Sequence, residues 1–276
     1  MHTVVSIPCK NVRVENGSPS DSSSRPFSSN SSSSVSSQEV TKFSGMNDTW
    51  WDPRKNPLVS MNPIRVQYIL NTLKRFKSLN DPPLLKLKAL DVGCGGGLLS
   101  ESLARLGASV TAIDPSTPLV ERAQQHALHD PRTKSIDYRG GVALEDLSDE
   151  QYDIICILEV IEHATDADSI FQAVASLLKP DGVLYISTMN RTWKSYALAI
   201  LGAEYVMGYL PIGTHDWNRF LSPQEVEERI KRANLKPVDV SGMIMTAPRL
   251  DGTWGWRLDP KDTDVNWIGA YRQHRP

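Results

Sequence analysis

An α/β fold built on a doubly wound, mostly parallel sheet is predicted by three features of this sequence. Short apolar runs rich in β-branched residues alternate with helix-period segments between residues 87 and 188. The first run ends in a bare glycine turn, LDVGCGGGLL, and the second ends on an acid, Asp114. Repeated strand-helix units demand parallel strands with crossover helices on both faces, and ligands of such sheets bind where strands end in glycine turns.

A helix leads the domain. MNPIRVQYILNTLKRF places Ile64, Tyr68, Ile69 and Leu73 at helical spacing, with Pro63 suited to a first turn. Strand 87–92, helix 98–106, strand 109–113, helix 117–128, a short strand 136–139, strand 153–158, helix 167–178 and strand 182–188 follow. SPQEVEERIKRANL is a helix opened by Ser222 as N-cap, Pro223 at the first helical position and Glu225 completing a capping box. LKPVDVSGM and VNWIGAYRQ read as two last strands. The expectation is about seven strands, the last two forming a C-terminal antiparallel hairpin. No internal repeat is visible.

Composition sets limits on function. The 276 residues are 40% hydrophobic and 22% charged, with a formal net charge of -2. Such a chain buries a proper core and has no positive field to steer it onto nucleic acid, so no nucleic-acid partner is expected. Cys9, Cys94 and Cys156 are far apart, and two lie in apolar runs, which reads as buried reduced thiols. No apolar run reaches the length of a membrane span. Residues 1–40 are Ser-dominated and expected to be disordered, either as a flexible tail or as an organelle transit peptide. Few arginines, with Glu15 and Asp21 present, weigh against the transit reading. The folded domain is expected over 41–276.

The glycine turn points to a ligand. Gly93, Gly95 and Gly97 stand between a strand and a helix, where a missing Cβ permits positive φ and close approach to the main chain. Asp114 lies about twenty residues beyond Gly93, the offset at which an acid accepts hydrogen bonds from ribose hydroxyls. An adenosine derivative is therefore expected. Leu98 stands where a dinucleotide loop has its third glycine, and Asp91 puts a negative charge beside the loop. That charge repels a pyrophosphate but suits a ligand carrying ammonium and sulfonium groups, so S-adenosylmethionine (SAM) is favoured over NAD.

A second cluster follows the apolar run YDIICI. In LEVIEHA, Glu159, Glu162 and His163 fall on one face if the chain turns helical after the strand. Two carboxylates and an imidazole so grouped can hold a divalent ion, Mg or Zn; equally, His163 can turn toward substrate or solvent with no metal present. Between the fifth strand and the capped helix lies an apolar insertion, 191–212, too short to cross a bilayer. Its residues 193–210 carry Trp193, Tyr196, Ile200, Leu201, Tyr205 and Leu210. An aromatic helix in the headgroup layer, a lid over an apolar substrate and a helix packed on the core all fit. His215 and Asp216 of THDW can close over a substrate or anchor the loop.

LDVGCGGG followed by AID resembles motif I and the acidic site of class I SAM-dependent methyltransferases. FSGMNDTWWDP, MNPIRVQYI, LEVIEHA, STMNRTWKSYALAILGAEYV and LPIGTHDW, in this order, resemble the ubiquinone-biosynthesis O-methyltransferase family. The resemblance covers roughly residues 60–275. It implies a class I methyltransferase fold and a methyl group carried from SAM to a catechol hydroxyl of a polyprenylated ubiquinone precursor. It assigns cofactor contacts to Arg65, Gly93, Asp114 and Leu158, the last standing where some relatives have methionine. It also implies a divalent cation at Glu159, Glu162 and His163. Catalysis then falls to that cation, which would bind the catechol oxygens and lower their pKa, or, as the competing assignment, to His163 as general base with Glu159 beside it. Further implications are peripheral membrane contact through 193–210, a multi-subunit ubiquinone-biosynthesis complex, and a place on the matrix side of the mitochondrial inner membrane. The rival readings are a soluble methyltransferase for another small phenol or amine, and a non-catalytic cofactor-binding subunit.

Overall fold

The computed structural model describes residues 50–147, 150–198, 216–249 and 251–274. The Ser-rich residues 1–40, Cys9, His215 and residues 199–212 of the insertion lie outside them, and with them the expectations placed there.

Helix α1 spans Pro57–Leu73, beginning more than a turn before the expected start. The reason is local: Asn56 caps it by accepting from the Leu58 N–H at 3.0 Å, and Pro57, not Pro63, takes the proline-tolerant first turn. Pro63 lies inside the helix, where it removes one backbone donor. Next come β1 (Lys88–Val92), α2 (Leu98–Arg105), β2 (Ser109–Asp114), α3 (Thr117–Ala127), β3 (Asp137–Gly140), β4 (Tyr152–Leu158), α4 (Ala167–Leu177) and β5 (Leu178–Met189). The chain closes with α5 (Pro223–Arg232), β6 (Leu235–Pro248), β7 (Trp254–Asp259) and β8 (Asn266–Gln273). The expected capping box on α5 is present, with the Ser222 and Glu225 side chains each bonding the other's backbone N–H.

One eight-stranded sheet runs in the order β3-β2-β1-β4-β5-β8-β6-β7. The first five strands are mutually parallel, while β8 is antiparallel to both β5 and β6. Strand β7 was not anticipated, and its insertion means that β6 hairpins with β7 before β8 returns between β5 and β6. Its turn was written in Asp251-Gly252: Gly252 has φ 79°, and Arg249 and Thr253 close the loop through an N–H to carbonyl bond of 2.7 Å. Trp256 of β7 packs toward α1, its Nε1 donating to Ser60 Oγ at 3.1 Å.

Strand alternation splits the core into two layers. Leu90, Ile155, Ile157, Leu184 and Ile186 face α4 and α5, meeting Phe171, Val174, Val226 and Ile230. Ala89, Ile154, Cys156, Val183 and Tyr185 face the other way and meet Ile69, Leu73, Leu99 and Leu103 of α1 and α2. Cys94 and Cys156 are buried free thiols, as their apolar context predicts. Strand order reverses between β1 and β4, so the carboxyl ends of these two strands flank the crevice where open α/β sheets take their ligands.

Candidate active site

Gly93 leaves β1 with φ 71° and is bound to β2 through its N–H, which donates to the Ile113 carbonyl at 2.8 Å. A Cβ there would lie 2.4 Å from Val160 Cγ2, so the closeness of the β1 and β4 tips requires glycine. Asp114, buried at the end of β2, secures the same loop: Oδ2 accepts from the Gly95 N–H at 2.9 Å and Oδ1 from the Ser116 N–H at 2.8 Å. Burial pushes its pKa up and the two backbone donors oppose the shift. A carboxylate has about four lone-pair sites, so two remain for a ligand.

Arg65 comes in from α1 and is 5% exposed. Its Nη2 lies 3.1 Å from Glu159 Oε1, yet neither Nη2 nor Nε has a hydrogen-bond partner among the described residues. A buried guanidinium with unmet donors at a ligand crevice is a ready partner for a carboxylate. Asp91, one residue before the end of β1, is 3% exposed and accepts from Ser100 Oγ at 2.5 Å. Desolvation raises its pKa to about 7, against the Ser100 hydrogen bond and the Arg65 charge. Leu158 closes β4 as a buried apolar wall. Arg65, Gly93, Asp114 and Leu158 thus occupy the carboxyl ends of β1, β2 and β4 and the helix packed beside them.

The second cluster is arranged differently from the expectation. The segment after β4 is a single 3-10 turn, Ile161–His163, and Glu159 precedes it with φ 57°, so helical spacing does not align the three side chains. Glu159 is committed to Arg65 and to Ser187, whose Oγ donates to Oε1 at 2.6 Å. Glu162 is buried and accepts from Thr188 Oγ1 at 2.8 Å. Desolvation and then the Glu159 charge push its pKa up to about 8. His163 is half-buried. No group of three His, Cys, Asp or Glu side chains among the described residues is placed to hold a metal ion. Glu159 is paired with Arg65, and the donor set expected for Mg or Zn is not brought together among the described residues.

Other features were not foreseen. Ser100, Ser187 and Thr188 each hold one of the site's acids, and short hydroxyl residues in strands carry no signal that marks such a role. Trp50 is buried against the glycine turn, with atoms 2.3 and 2.2 Å from where Cβ atoms on Gly95 and Gly96 would stand. Asp216 of THDW caps the turn Trp217–Arg219, accepting from the Asn218 N–H at 3.0 Å, and so anchors a loop.

A methyltransferase-domain family model matches residues 64–240. A ubiquinone biosynthesis O-methyltransferase of Rhodopseudomonas palustris (strain TIE-1) is 42% identical over 241 residues, covering 86% of this chain and 92% of that protein. One of Pelagibacter ubique is 43% identical over 243 residues, covering 86% and 98%. Among solved structures, a SAM-dependent methyltransferase from Thermotoga maritima superposes with TM-score 0.58 at 16% identity, covering 86% and 99% of the two chains. Magnesium protoporphyrin IX methyltransferase from Synechocystis with bound SAM gives 0.56 at 18%, covering 88% and 100%. These two share the fold. Identity above two-fifths across nearly the whole of its relatives makes this chain a member of the ubiquinone biosynthesis O-methyltransferases, enzymes that take their methyl group from SAM.

Proposed function

We propose that the chain methylates a catechol hydroxyl of a polyprenylated ubiquinone precursor at a membrane surface. The observation that carries the reading is the buried Arg65 with unmet donors beside the Gly93 turn and Asp114, a set that fits the two ends of one SAM molecule. In this reading the ribose hydroxyls take the free lone pairs of Asp114. The methionine carboxylate takes the Arg65 N–H groups, and adenine lies on Leu158. Asp91 and Glu159 supply negative potential near the ammonium and sulfonium charges.

SAM supplies an electrophilic methyl group; the protein has to align the acceptor with it. A catechol hydroxyl has a phenol-like pKa of about 10 and is a poor nucleophile at neutral pH. His163, half-buried on the turn after β4, takes the hydroxyl proton as the oxygen-carbon bond forms and the carbon-sulfur bond breaks, which leaves a neutral thioether. Burial of Glu162 and its bond to Thr188 fix the turn that carries His163. Holding oxygen, methyl carbon and sulfur in line supplies up to ~7-11 kcal/mol of the barrier reduction. Glu159, Glu162 and His163 are not brought together as a ligand set among the described residues, so each is given a role of its own here.

Membrane contact is supported by the described start of the insertion, where Trp193 is 80% exposed and Tyr196 and Leu198 are also exposed. Such apolar surface fits the headgroup layer, where a polyprenyl tail resides. No helix among the described residues is long and apolar enough to cross a bilayer, which suits a peripheral attachment. The matrix side of the mitochondrial inner membrane and a multi-subunit ubiquinone-biosynthesis complex complete the proposal. The experiment is an assay of the purified chain with labelled SAM and a short-chain prenyl catechol. Label in the methylated catechol is expected; protein that binds cofactor but transfers no label contradicts the proposal.

A further inference from the structure

The indole of Trp50 is unusual in three ways. It is 7% exposed, it lies on the main chain of Gly95 and Gly96, and its Nε1 has no hydrogen-bond partner among the described residues. The ring fills a niche between Leu98 at the start of α2 and Leu119 near the start of α3, with Leu58 and Val59 of α1 packed alongside. Both glycines are needed for this approach, since a side chain at either would overlap the ring.

Its position is fixed from both sides. The Trp50 carbonyl accepts from Asn56 Nδ2 at 2.8 Å, while the same Asn56 caps α1. On the other side Trp51 stacks on His126 with ring centroids 3.9 Å apart and planes 8° from parallel. His126 Nδ1 in turn lies 2.7 Å from Glu101 Oε1, a carboxylate with no exposed surface. Residues 50 and 51 are thus docked onto α1, α2 and α3, around the turn that receives the cofactor.

A buried donor left without an acceptor costs free energy, and such groups call for an explanation in a native structure. Apolar packing explains the ring but not its N–H, because phenylalanine would fill the niche without the penalty. Trp50 Nε1 lies beside Gly96, within the glycine turn, and SAM carries carboxylate and ribose oxygens that can supply the acceptor there. We propose that Trp50 is a cofactor-contact residue, its ring closing the glycine turn and its Nε1–H donating to an oxygen of bound SAM. This rests on the SAM site described above and adds a contact that the sequence motifs did not assign.

The test compares binding of S-adenosylhomocysteine (SAH) to the wild-type full-length chain, Trp50→Phe and Trp51→Phe by titration calorimetry. Trp50→Phe keeps the ring and removes the donor, and about tenfold weaker binding is expected, the scale of one hydrogen bond to a charged acceptor. Trp51→Phe, at the neighbouring indole whose buried Nε1 also lacks a partner among the described residues, should change binding less than about threefold, since its ring stacks on His126 and not on the glycine turn. In wild-type protein labelled at its seven tryptophan indole nitrogens, the signal with contacts to the Gly95 and Gly96 amides should move and exchange more slowly once SAH is added. Normal SAH binding by Trp50→Phe overturns the inference. If that variant does not fold, an unmoved wild-type indole signal at saturating SAH overturns it instead. A wild-type chain that binds no SAH overturns the cofactor site itself, and the inference with it.

Discussion

Arg65 and Glu159 meet at 3.1 Å across the gap between α1 and the tip of β4, with side chains 5% and 13% exposed. The pair is short but poorly aligned for hydrogen bonding, so two guanidinium nitrogens remain without partners among the described residues. That geometry lets Arg65 neutralise the acid at the strand tip while two of its donor nitrogens stay unmet. Arg65→Lys preserves the charge but loses the planar fork. SAH binding by this variant should weaken about tenfold or more, with the thermal midpoint close to wild type. Arg65→Ala leaves Glu159 in the site without its cation, and its stability should fall by about 3 kcal/mol in chemical denaturation.

Asp114 ties the turn to β2 and, in the proposed site, takes the ribose hydroxyls. In Asp114→Asn the side-chain oxygen can still accept from one backbone N–H, but the amide nitrogen cannot accept from the other. Cofactor affinity should drop by about ten- to a hundredfold while circular dichroism stays that of the folded chain. Unchanged affinity would remove Asp114 from the site.

The pH dependence of binding follows from Asp91. Its pKa is raised by burial from 3.8 to about 7. An acid shifted upward favours folding below its unfolded pKa, and that advantage is lost as pH climbs through the folded value. Asp91→Asn should therefore gain stability relative to wild type as pH rises from about 4 to about 7, and no more beyond. A bound cation favours ionised Asp91, so SAM affinity of the wild type should rise through pH 7 with release of a proton. Calorimetry in buffers of different ionisation enthalpy measures that proton, and Asp91→Asn should release measurably less.

Trp193 is the most exposed large apolar side chain among the described residues. If it enters a headgroup layer, Trp193→Ser should reduce sedimentation with anionic vesicles by about tenfold in partition coefficient, from the loss of part of an aromatic side chain's burial energy. Turnover of a water-soluble short-chain catechol should remain unchanged. Equal vesicle binding by the variant would place membrane contact elsewhere.

Most of the sheet was legible because its strands are buried apolar runs and its helices carry amphipathic spacing. The capping box at Ser222 and Glu225 survived intact for the same local reason. The start of α1 was misread because Pro63 looks like a first-turn proline, whereas the capping pair Asn56-Pro57 takes that role. Strand β7 was overlooked although Asp251-Gly252 is a hairpin signal, since its tryptophans and arginine alternate on an edge with one covered face. The positions of the Gly93 turn and of Asp114 at consecutive strand ends were readable from their fixed offset. The Arg65–Glu159 pair was not, because it joins residues far apart in sequence through the packing of a helix on a strand tip. Helical spacing suggested that Glu159, Glu162 and His163 converge; a positive φ at Glu159 sends the first of them to Arg65 and Ser187.

A crystal structure of the chain with SAH tests the central claim most directly. The account predicts ribose hydroxyls on Asp114, the amino-acid carboxylate on the Arg65 guanidinium and adenine against Leu158. A nucleoside bound away from Asp114, or a carboxylate held by other groups while Arg65 stays with Glu159 alone, would contradict it.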